Sequence, residues 1–324
     1  MQKTKERTVQ SNPVARFFAD NLGILLALLT LCIVLTVTTE SFFSDKNILT
    51  VLRQTCINSL LAFGMTCVLI IGGIDLTVGS VVGASGVAVV MLMEAGVPMG
   101  AAIVIALAFG GIIGAINGAI IAFTGMPAFI VTLSMQGAIR GLAYIITDGR
   151  SVGSNVATFT SLGNGYYLGI PNPIYVTVFA MLVILVVLNK TKFGRRMYAI
   201  GGNATAAKFT GIKIKGLTVW VYVISAVLSS LAGIILASRL YSGQPTAGIG
   251  YESDAIAAAV LGGTSFTGGI GTIGGTLIGA LVIGVLSNGL NLLHISSYVQ
   301  MIIKGMVIIM AVGFDLLKNR NNGE

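Results

Sequence analysis

Charged residues are scarce in this chain, because Asp, Glu, Lys and Arg together make up only 9% of its 324 residues. A soluble domain usually carries about 25% charged residues, so this composition excludes an ordinary soluble enzyme. Hydrophobic residues make up 55% of the chain, and the mean hydropathy is +0.94. Since a spanning helix needs about 20 apolar residues, the length leaves room for roughly ten spans. The composition therefore predicts an all-α, polytopic membrane helical bundle.

Residues that carry covalent chemistry are also few. The only histidine is His294, and one His cannot form a metal site or a Ser/His/Asp triad without partners. The three cysteines, Cys32, Cys56 and Cys67, lie in apolar runs and form no CxxC pair, which is typical of buried structural thiols. The sequence therefore predicts no catalytic residue and no metal site, and it disfavours a membrane-embedded enzyme such as a lipid-modifying transferase.

Nucleotide-binding motifs are missing or unconvincing. The chain has no Gly-Lys-Ser or Gly-Lys-Thr, so it lacks the lysine of a P-loop. Gly269-x-Gly271-x-x-Gly274 matches a dinucleotide fingerprint, but no strand is expected before it and the next acidic residue is Asp315. We therefore expect no cofactor on this chain, and any ATP that drives the protein must be hydrolysed by another chain.

Apolar runs and helix breakers predict about ten spans between a polar N-terminal tail (1–20) and a C-terminal tail (317–324). The first apolar run has no cleavage pattern after it, so we expect it to be retained as a span. The eighth predicted span is short and rich in glycine near its end. The spans are 21–39, 49–71, 76–93, 98–123, 127–147, 173–190, 216–238, 254–267, 271–292 and 298–316.

The distribution of Lys and Arg predicts the orientation. Of 19 such residues, 13 lie in the two tails and the 190–215 loop, and four lie on the opposite side of the predicted spans. Because cytoplasmic loops carry the excess of positive charge, both termini are predicted to be cytoplasmic. The net charge of +8 is thus explained by membrane topology, and no nucleic-acid partner is expected.

Two sets of glycines recur every four residues, from Gly110 to Gly118 and from Gly271 to Gly279. This spacing puts each set on one helix face and lets a second helix approach closely. The favoured interpretation is close helix packing, and the alternative is a sliding surface for a moving bundle.

A second repeat surrounds Asp75. The pattern Gly-Gly-x-x-x-Thr-x-Gly occurs at 72–79 and again at 262–269, which is 190 residues further on. Paired glycine-interrupted segments in the two halves of a transporter point to broken helices near the pathway. Asp75 could serve this pathway, cap the helix that starts near Leu76, or do both.

Other polar residues fall inside the predicted spans. Arg140 needs a partner there, because a charge in the membrane is costly, and Asp75 or Asp254 could supply it. Several carboxamides could bind a polyol or simply form hydrogen bonds between helices, which is their ordinary role. The candidate pathway residues are Asp75, Asn117, Gln136, Arg140, Asn288 and Asn291.

The basic 190–215 loop contains a motif of its own. The run from Gly201 to Ile212 reads as a short helix that opens at Asn203 and closes at Gly211. Such a helix, with small residues on one face, could dock into a cleft on a partner. The alternative is an ordinary basic loop that only fixes the topology.

Four motifs together resemble the sugar permeases of bacterial ATP-binding-cassette importers, in particular the ribose-type permease. They lie at 72–80, 201–212, 244–265 and 288–293, and the resemblance extends over nearly the whole chain from about residue 20. It implies a two-copy permease in the cytoplasmic (inner) membrane, an ATPase subunit that binds ATP and Mg, and an extracytoplasmic sugar-binding protein. It also implies a monosaccharide substrate and coupling to the ATPase through Gly202, Asn203, Ala206, Ala207 and Gly211.

A secondary transporter driven by ions or protons is the alternative, with Asp75 and Arg140 carrying the coupling ions. The missing nucleotide motif fits this alternative equally well. The 201–212 motif disfavours it, because a secondary transporter needs no docking helix.

Overall fold

The structure is a computed structural model that describes residues 21–154 and 156–321, with the side chains of 311 and 314–321 left out of the description. Four two-residue strands form two small antiparallel pairs: β1 (Val152–Gly153) with β4 (Ser242–Gly243), and β2 (Tyr166–Tyr167) with β3 (Ile170–Pro171). The helices are α1 (Leu22–Thr38), α2 (Asp45–Ile70), α3 (Val78–Glu94), α4 (Met99–Thr124), α5 (Ala128–Thr147), α6 (Ala157–Asn164), α7 (Asn172–Lys190), α8 (Lys192–Gly202), α9 (Ala204–Phe209), α10 (Ile214–Leu240), α11 (Tyr251–Leu261), α12 (Ile273–Leu292) and α13 (Ser297–Asn321).

Long apolar helices dominate the structure, as the composition predicted. Six of them, α2, α4, α5, α7, α10 and α12, are long and apolar enough to cross a membrane. Helices α1, α3 and α13 contain shorter apolar stretches. Nine of the ten predicted spans each overlap one helix, and the eighth does not form a single continuous helix. The predicted tail 1–20 and residues 322–324 lie outside the described residues, while α13 continues to Asn321, beyond the predicted end of its span.

Helices α2 and α10 form the centre of the bundle. Helix α10 packs against α2, α3 and α4, and most of its residues after Thr218 are buried. The glycine stripe of α4 makes this possible: an added Cβ at Gly110 would lie 2.9 Å from Ala226 O, and one at Gly118 would lie 2.6 Å from Val219 Cα. Gly275 and Gly279 play the same part where α12 packs on α11. Gly271 lies before α12, and an added Cβ there would lie 3.0 Å from side-chain atoms of Ile70 and Thr264. The packing interpretation is therefore confirmed for both stripes except that Gly271 is not on the helix face.

The eighth predicted span, 254–267, is helical only as far as Leu261. Helix α10 ends at Leu240, residues 244–250 run without helical structure past α3, and α11 then covers Tyr251–Leu261. We call residues 244–261 the interrupted span. The backbone of this segment approaches α3 closely, since an added Cβ at Gly83 would lie 2.9 Å from Ala247 O and 3.2 Å from Pro245 O. The prediction of a helix over 254–267 was wrong at its end: Gly263 has φ +82°, and the helix stops at Leu261.

The two ends of the bundle differ. One end carries α8 and α9, and we call it the coupling-loop end. The other carries α6 and the β2–β3 hairpin, and we call it the hairpin end. There, Gly163 N donates to Ser238 Oγ at 2.7 Å and Arg53 Nη2 donates to Asn164 O at 3.3 Å, which ties the 148–172 segment to α10 and α2.

Candidate functional site

The two glycine repeats meet at the coupling-loop end. Gly269 N donates to Ile70 O at 2.9 Å, across the 190-residue separation of the repeats. An added Cβ at Gly268 would lie 3.2 Å from Gly72 N. Positive φ angles at Gly72, Gly263, Gly268 and Gly269 break the helices here, because glycine alone adopts such angles without strain. The predicted relation between the repeats is thus seen as direct contact between two helix breaks.

Helix α8 packs on this junction. Tyr198 OH donates to Gly271 O at 2.8 Å, and an added Cβ at Gly201 would meet the backbone of both Ile70 and Gly269. Burial raises the pKa of the Tyr198 phenol above its ordinary value, so the phenol stays protonated and can donate this bond. The 190–215 loop is therefore attached to both helix breaks through one short helix.

Asp75 is fully buried beside the first break. Its Oδ1 accepts hydrogen bonds from Thr77 N at 3.0 Å and Thr77 Oγ1 at 2.5 Å, and its Oδ2 accepts one from Ser225 Oγ at 2.8 Å. Asn117 Nδ2 donates to Thr77 Oγ1 at 3.1 Å. The carboxylate thus closes a turn before α3 and joins this turn to α10, while Asn117 adds α4. The N-cap of α3 itself is Thr77, so the simple capping role predicted for Asp75 was wrong in detail.

We expect Asp75→Ala to lower thermal stability and transport more than Asp75→Asn does. Alanine leaves the Thr77 N–H and two hydroxyls without their acceptor, and an unsatisfied buried polar group costs about 1–3 kcal/mol. Asparagine keeps one oxygen acceptor for Thr77, and its amide nitrogen can donate to the Ser225 hydroxyl. Unfolding temperatures and uptake of the two variants provide the measurement, and equal effects would contradict the assignment of this network.

Arg140 binds the interrupted span rather than a carboxylate. Its Nη1 donates to Pro245 O at 2.5 Å and Ala247 O at 2.6 Å, and its Nη2 donates to Gly79 O at 3.0 Å. The predicted partners of Arg140 were therefore wrong: Asp75 binds Thr77 and Ser225, and Asp254 forms a 2.7 Å salt bridge with Lys304 of α13. Non-helical backbone packed among helices has free carbonyls, and a guanidinium with several donors satisfies them.

Gln136 lies one turn before Arg140 and acts on the same region. Its Nε2 donates to Glu252 Oε1 at 3.1 Å, in the first turn of α11. Helix α5 therefore holds both the non-helical residues 244–250 and the helix that follows them.

The remaining candidate residues lie towards the hairpin end. Asn288 of α12 and Asn47 of α2 form a reciprocal amide pair at 3.0 and 2.8 Å. Asn291 Oδ1 accepts a hydrogen bond from Gln300 Nε2 at 2.9 Å. The six predicted pathway residues thus occupy three places along the bundle, and most of them form hydrogen bonds between structural elements.

The predicted helix of the coupling loop is present as α9. Asn203 caps it, since its Oδ1 accepts from Ala206 N at 2.9 Å, and Gly211 ends it with φ +81°. Gly202, Asn203, Ala206 and Gly211 are exposed, whereas Ala207 is only 4% exposed and packs inside the chain. Of the five predicted coupling residues, Ala207 therefore lies on the buried side of α9 and packs against the rest of this chain.

Sequence reasoning missed a polar cavity of about 490 Å³ at the hairpin end, lined by α2, α10 and residues 244–251. Asn291 is the only predicted residue that lines it. Gln54 and Asn58, which also line it, lie in an apolar run that was interpreted as an ordinary span. The fall in hydropathy at the start of that run was the available signal. Among the described residues, no group of three His, Cys, Asp or Glu could hold a metal ion.

Long apolar helices around an interrupted span, with glycine breaks in both halves, define a multi-pass membrane transporter. The family model described as "Branched-chain amino acid transport system / permease component" matches residues 47–312. The chain belongs to this family. Its members are permease components, so the prediction of a transport subunit rather than an enzyme is confirmed.

Relatives match almost over their whole length. The chain is 48% identical to the ribose import permease protein RbsC of Bacillus subtilis over 303 residues, which cover 93% of this chain and 94% of the relative. It is 45% identical to the protein of that name from Haemophilus influenzae over 303 residues, covering 92% and 94%. The L-arabinose transport system permease protein AraH of Escherichia coli is 37% identical over 301 residues, covering 93% and 92%. No solved structure gives a significant match.

Proposed function

We propose that this chain is the membrane-spanning permease subunit of an ATP-driven importer that moves a monosaccharide, D-ribose, across the cytoplasmic membrane. The observation that carries the proposal is the attachment of α8 to both helix breaks, through Tyr198 and Gly201. A motor that acts on the coupling loop would reach the pathway through this contact. We take D-ribose as the substrate from the names of the relatives at 48% and 45% identity.

In this proposal the chain crosses the membrane ten times, and both termini and the coupling-loop end are cytoplasmic. The excess of Lys and Arg in the 190–215 loop supports this orientation. The eighth crossing combines the non-helical residues 244–250 with α11. The hairpin end then faces outward, where an extracytoplasmic sugar-binding protein would deliver the substrate.

The exposed side of α9 is the proposed contact with the ATPase subunit, which binds ATP and Mg. Phe209 is 87% exposed at the end of α9, and an aromatic side chain held in this position suits a cleft on a partner. A second copy of the chain completes the permease. ATP binding moves α8 and α9, and the helix breaks at 70–77 and 262–271 follow.

We expect Ala206→Glu to uncouple the importer while leaving the permease folded. Ala206 lies on the exposed side of α9, so a carboxylate there meets the partner and not the core of this chain. Sugar uptake and its stimulation of ATP hydrolysis should both fall by about tenfold or more, the size of effect seen when a central interface contact is lost. Uptake and ATPase activity of the reconstituted importer are measured.

Ala207→Glu is the matched comparison one residue further along. Because Ala207 is buried within the chain, this change places an unpaired carboxylate in the core and should lower the unfolding temperature. A normal rate of uptake by the Ala206→Glu importer would contradict the proposal that the exposed side of α9 binds the ATPase subunit.

A further inference from the structure

We propose that the cavity at the hairpin end is a transient binding site for the sugar within the permease itself. This inference rests on the proposed function, since it concerns the path of that substrate. The cavity of about 490 Å³ falls within the range of about 300–1,000 Å³ typical of small-molecule sites. The polar residues that line it include Gln54, Asn58, Arg239, Gln244, Tyr251 and Asn291.

Asn58 brings a carboxamide to the wall of the cavity. The residue as a whole is only 4% exposed, so this amide lies within the bundle and not on its outer surface. An amide offers both a donor and an acceptor, which matches the hydroxyl groups of a sugar.

The lining offers both hydrogen-bonding groups and an apolar wall, which together suit a sugar. Among the described residues that line the cavity there is no carboxylate, and the charged side chain is the guanidinium of Arg239. Carboxamides and a phenol surround it, and the aliphatic side chains of Ile57 and Leu236 provide an apolar wall. A monosaccharide presents hydroxyls on its edge and C–H groups on its faces, so both kinds of surface have a partner here.

The cavity also lies against the non-helical residues 244–250. Ala247 lines the cavity, and its carbonyl accepts a hydrogen bond from Arg140. Tyr251 lines it at the first residue of α11. A sugar held here therefore contacts the non-helical backbone of the interrupted span directly, at a point above the helix breaks of the coupling-loop end.

The first test compares Asn58→Leu with Ser59→Ala in the complete importer. Both residues lie buried on α2, but Ser59 lies outside this cavity. Leucine matches asparagine in size and removes the hydrogen-bonding groups. We expect Asn58→Leu to reduce D-ribose uptake about tenfold, the change that accompanies loss of a net hydrogen bond, and Ser59→Ala to stay near the wild type. Equal rates, or equal losses, in the two variants would overturn the inference.

The second test measures occupancy and does not depend on the Asn58 variant. Thr246 lines the cavity and is exposed, so Thr246→Cys should react with a small water-soluble thiol reagent added to the importer. D-ribose should slow this reaction, whereas it should not slow the reaction of Thr205→Cys on exposed α9. An unchanged rate at Thr246→Cys in millimolar ribose would overturn the inference. If the wild-type importer transports ribose in the same preparation, the proposed function stands even though the cavity site fails.

Discussion

Replacing Arg140 with methionine is expected to abolish sugar uptake and to lower the unfolding temperature of the permease. The guanidinium supplies hydrogen bonds to three backbone carbonyls, of Gly79, Pro245 and Ala247. A hydrogen bond to a charged group contributes about 1.5–3 kcal/mol. Methionine keeps the length of the side chain but leaves all three carbonyls unsatisfied. Thermal unfolding and uptake by the reconstituted importer are the measurements.

Two further variants serve as controls for the Arg140→Met result. Arg150→Met removes an exposed arginine that makes no side-chain hydrogen bond with the described residues, and it should leave both quantities near the wild type. Arg140→Lys should restore only part of the loss, because an ammonium group cannot reproduce the planar fork of donors. Full activity of Arg140→Lys would show that a positive charge alone is needed, contrary to the geometry described above.

Gly201→Ala is expected to have the second large effect. The added methyl group would lie 3.0 Å from Gly269 Cα, and closer still to Ile70 O and Gly269 N. All of these are backbone atoms that cannot rotate away, so α8 must separate from one or both helix breaks. We expect a lower unfolding temperature and a loss of uptake of about tenfold or more. An extra methyl group in a packed core typically lowers the free energy of unfolding by about 1–3 kcal/mol.

Gly202→Ala is the matched control for stability. An added Cβ at Gly202 has no atom within 4 Å, and alanine favours a helix over glycine by about 1 kcal/mol. This variant should therefore unfold at the wild-type temperature or slightly above it, opposite in sign to Gly201→Ala. Equal unfolding temperatures for the two variants would contradict the close packing of α8 on the junction.

Much of the fold could be predicted because long apolar runs in a sequence indicate membrane helices. Nine of the ten predicted spans each overlap one helix of the structure, and the glycine spacing of α4 and α12 predicted close packing. The capped helix at Asn203 followed from local chemistry, since the capping side chain and the closing glycine lie within a few residues of each other. The end of the eighth predicted span was placed too late, because the helix stops at Leu261 before Gly263 with its positive φ, and apolarity alone does not mark where a helix ends.

The candidate site was less predictable. Asp75 and Arg140 were recognised because charges are rare inside spans, but their partners include the Ser225 hydroxyl, 150 residues from Asp75, and the Pro245 carbonyl, 105 residues from Arg140. Sequence reasoning paired charge with charge and so chose the wrong partners for Arg140. The contact of Gly201 with the two helix breaks has no signal in the sequence, since it depends on how α8 packs against two segments that are distant in the chain. Asn58 was missed because a single amide within an apolar run has the ordinary role of joining helices.

The central claim is that movement of the coupling loop, driven by a partner ATPase, opens the sugar pathway. The most direct test is uptake of radiolabelled D-ribose into proteoliposomes that contain the permease, with and without the ATPase subunit and the binding protein. Uptake that requires all three proteins and ATP is the predicted result. Uptake by this chain alone, driven by an ion gradient, would contradict the account and identify an ion-coupled secondary transporter.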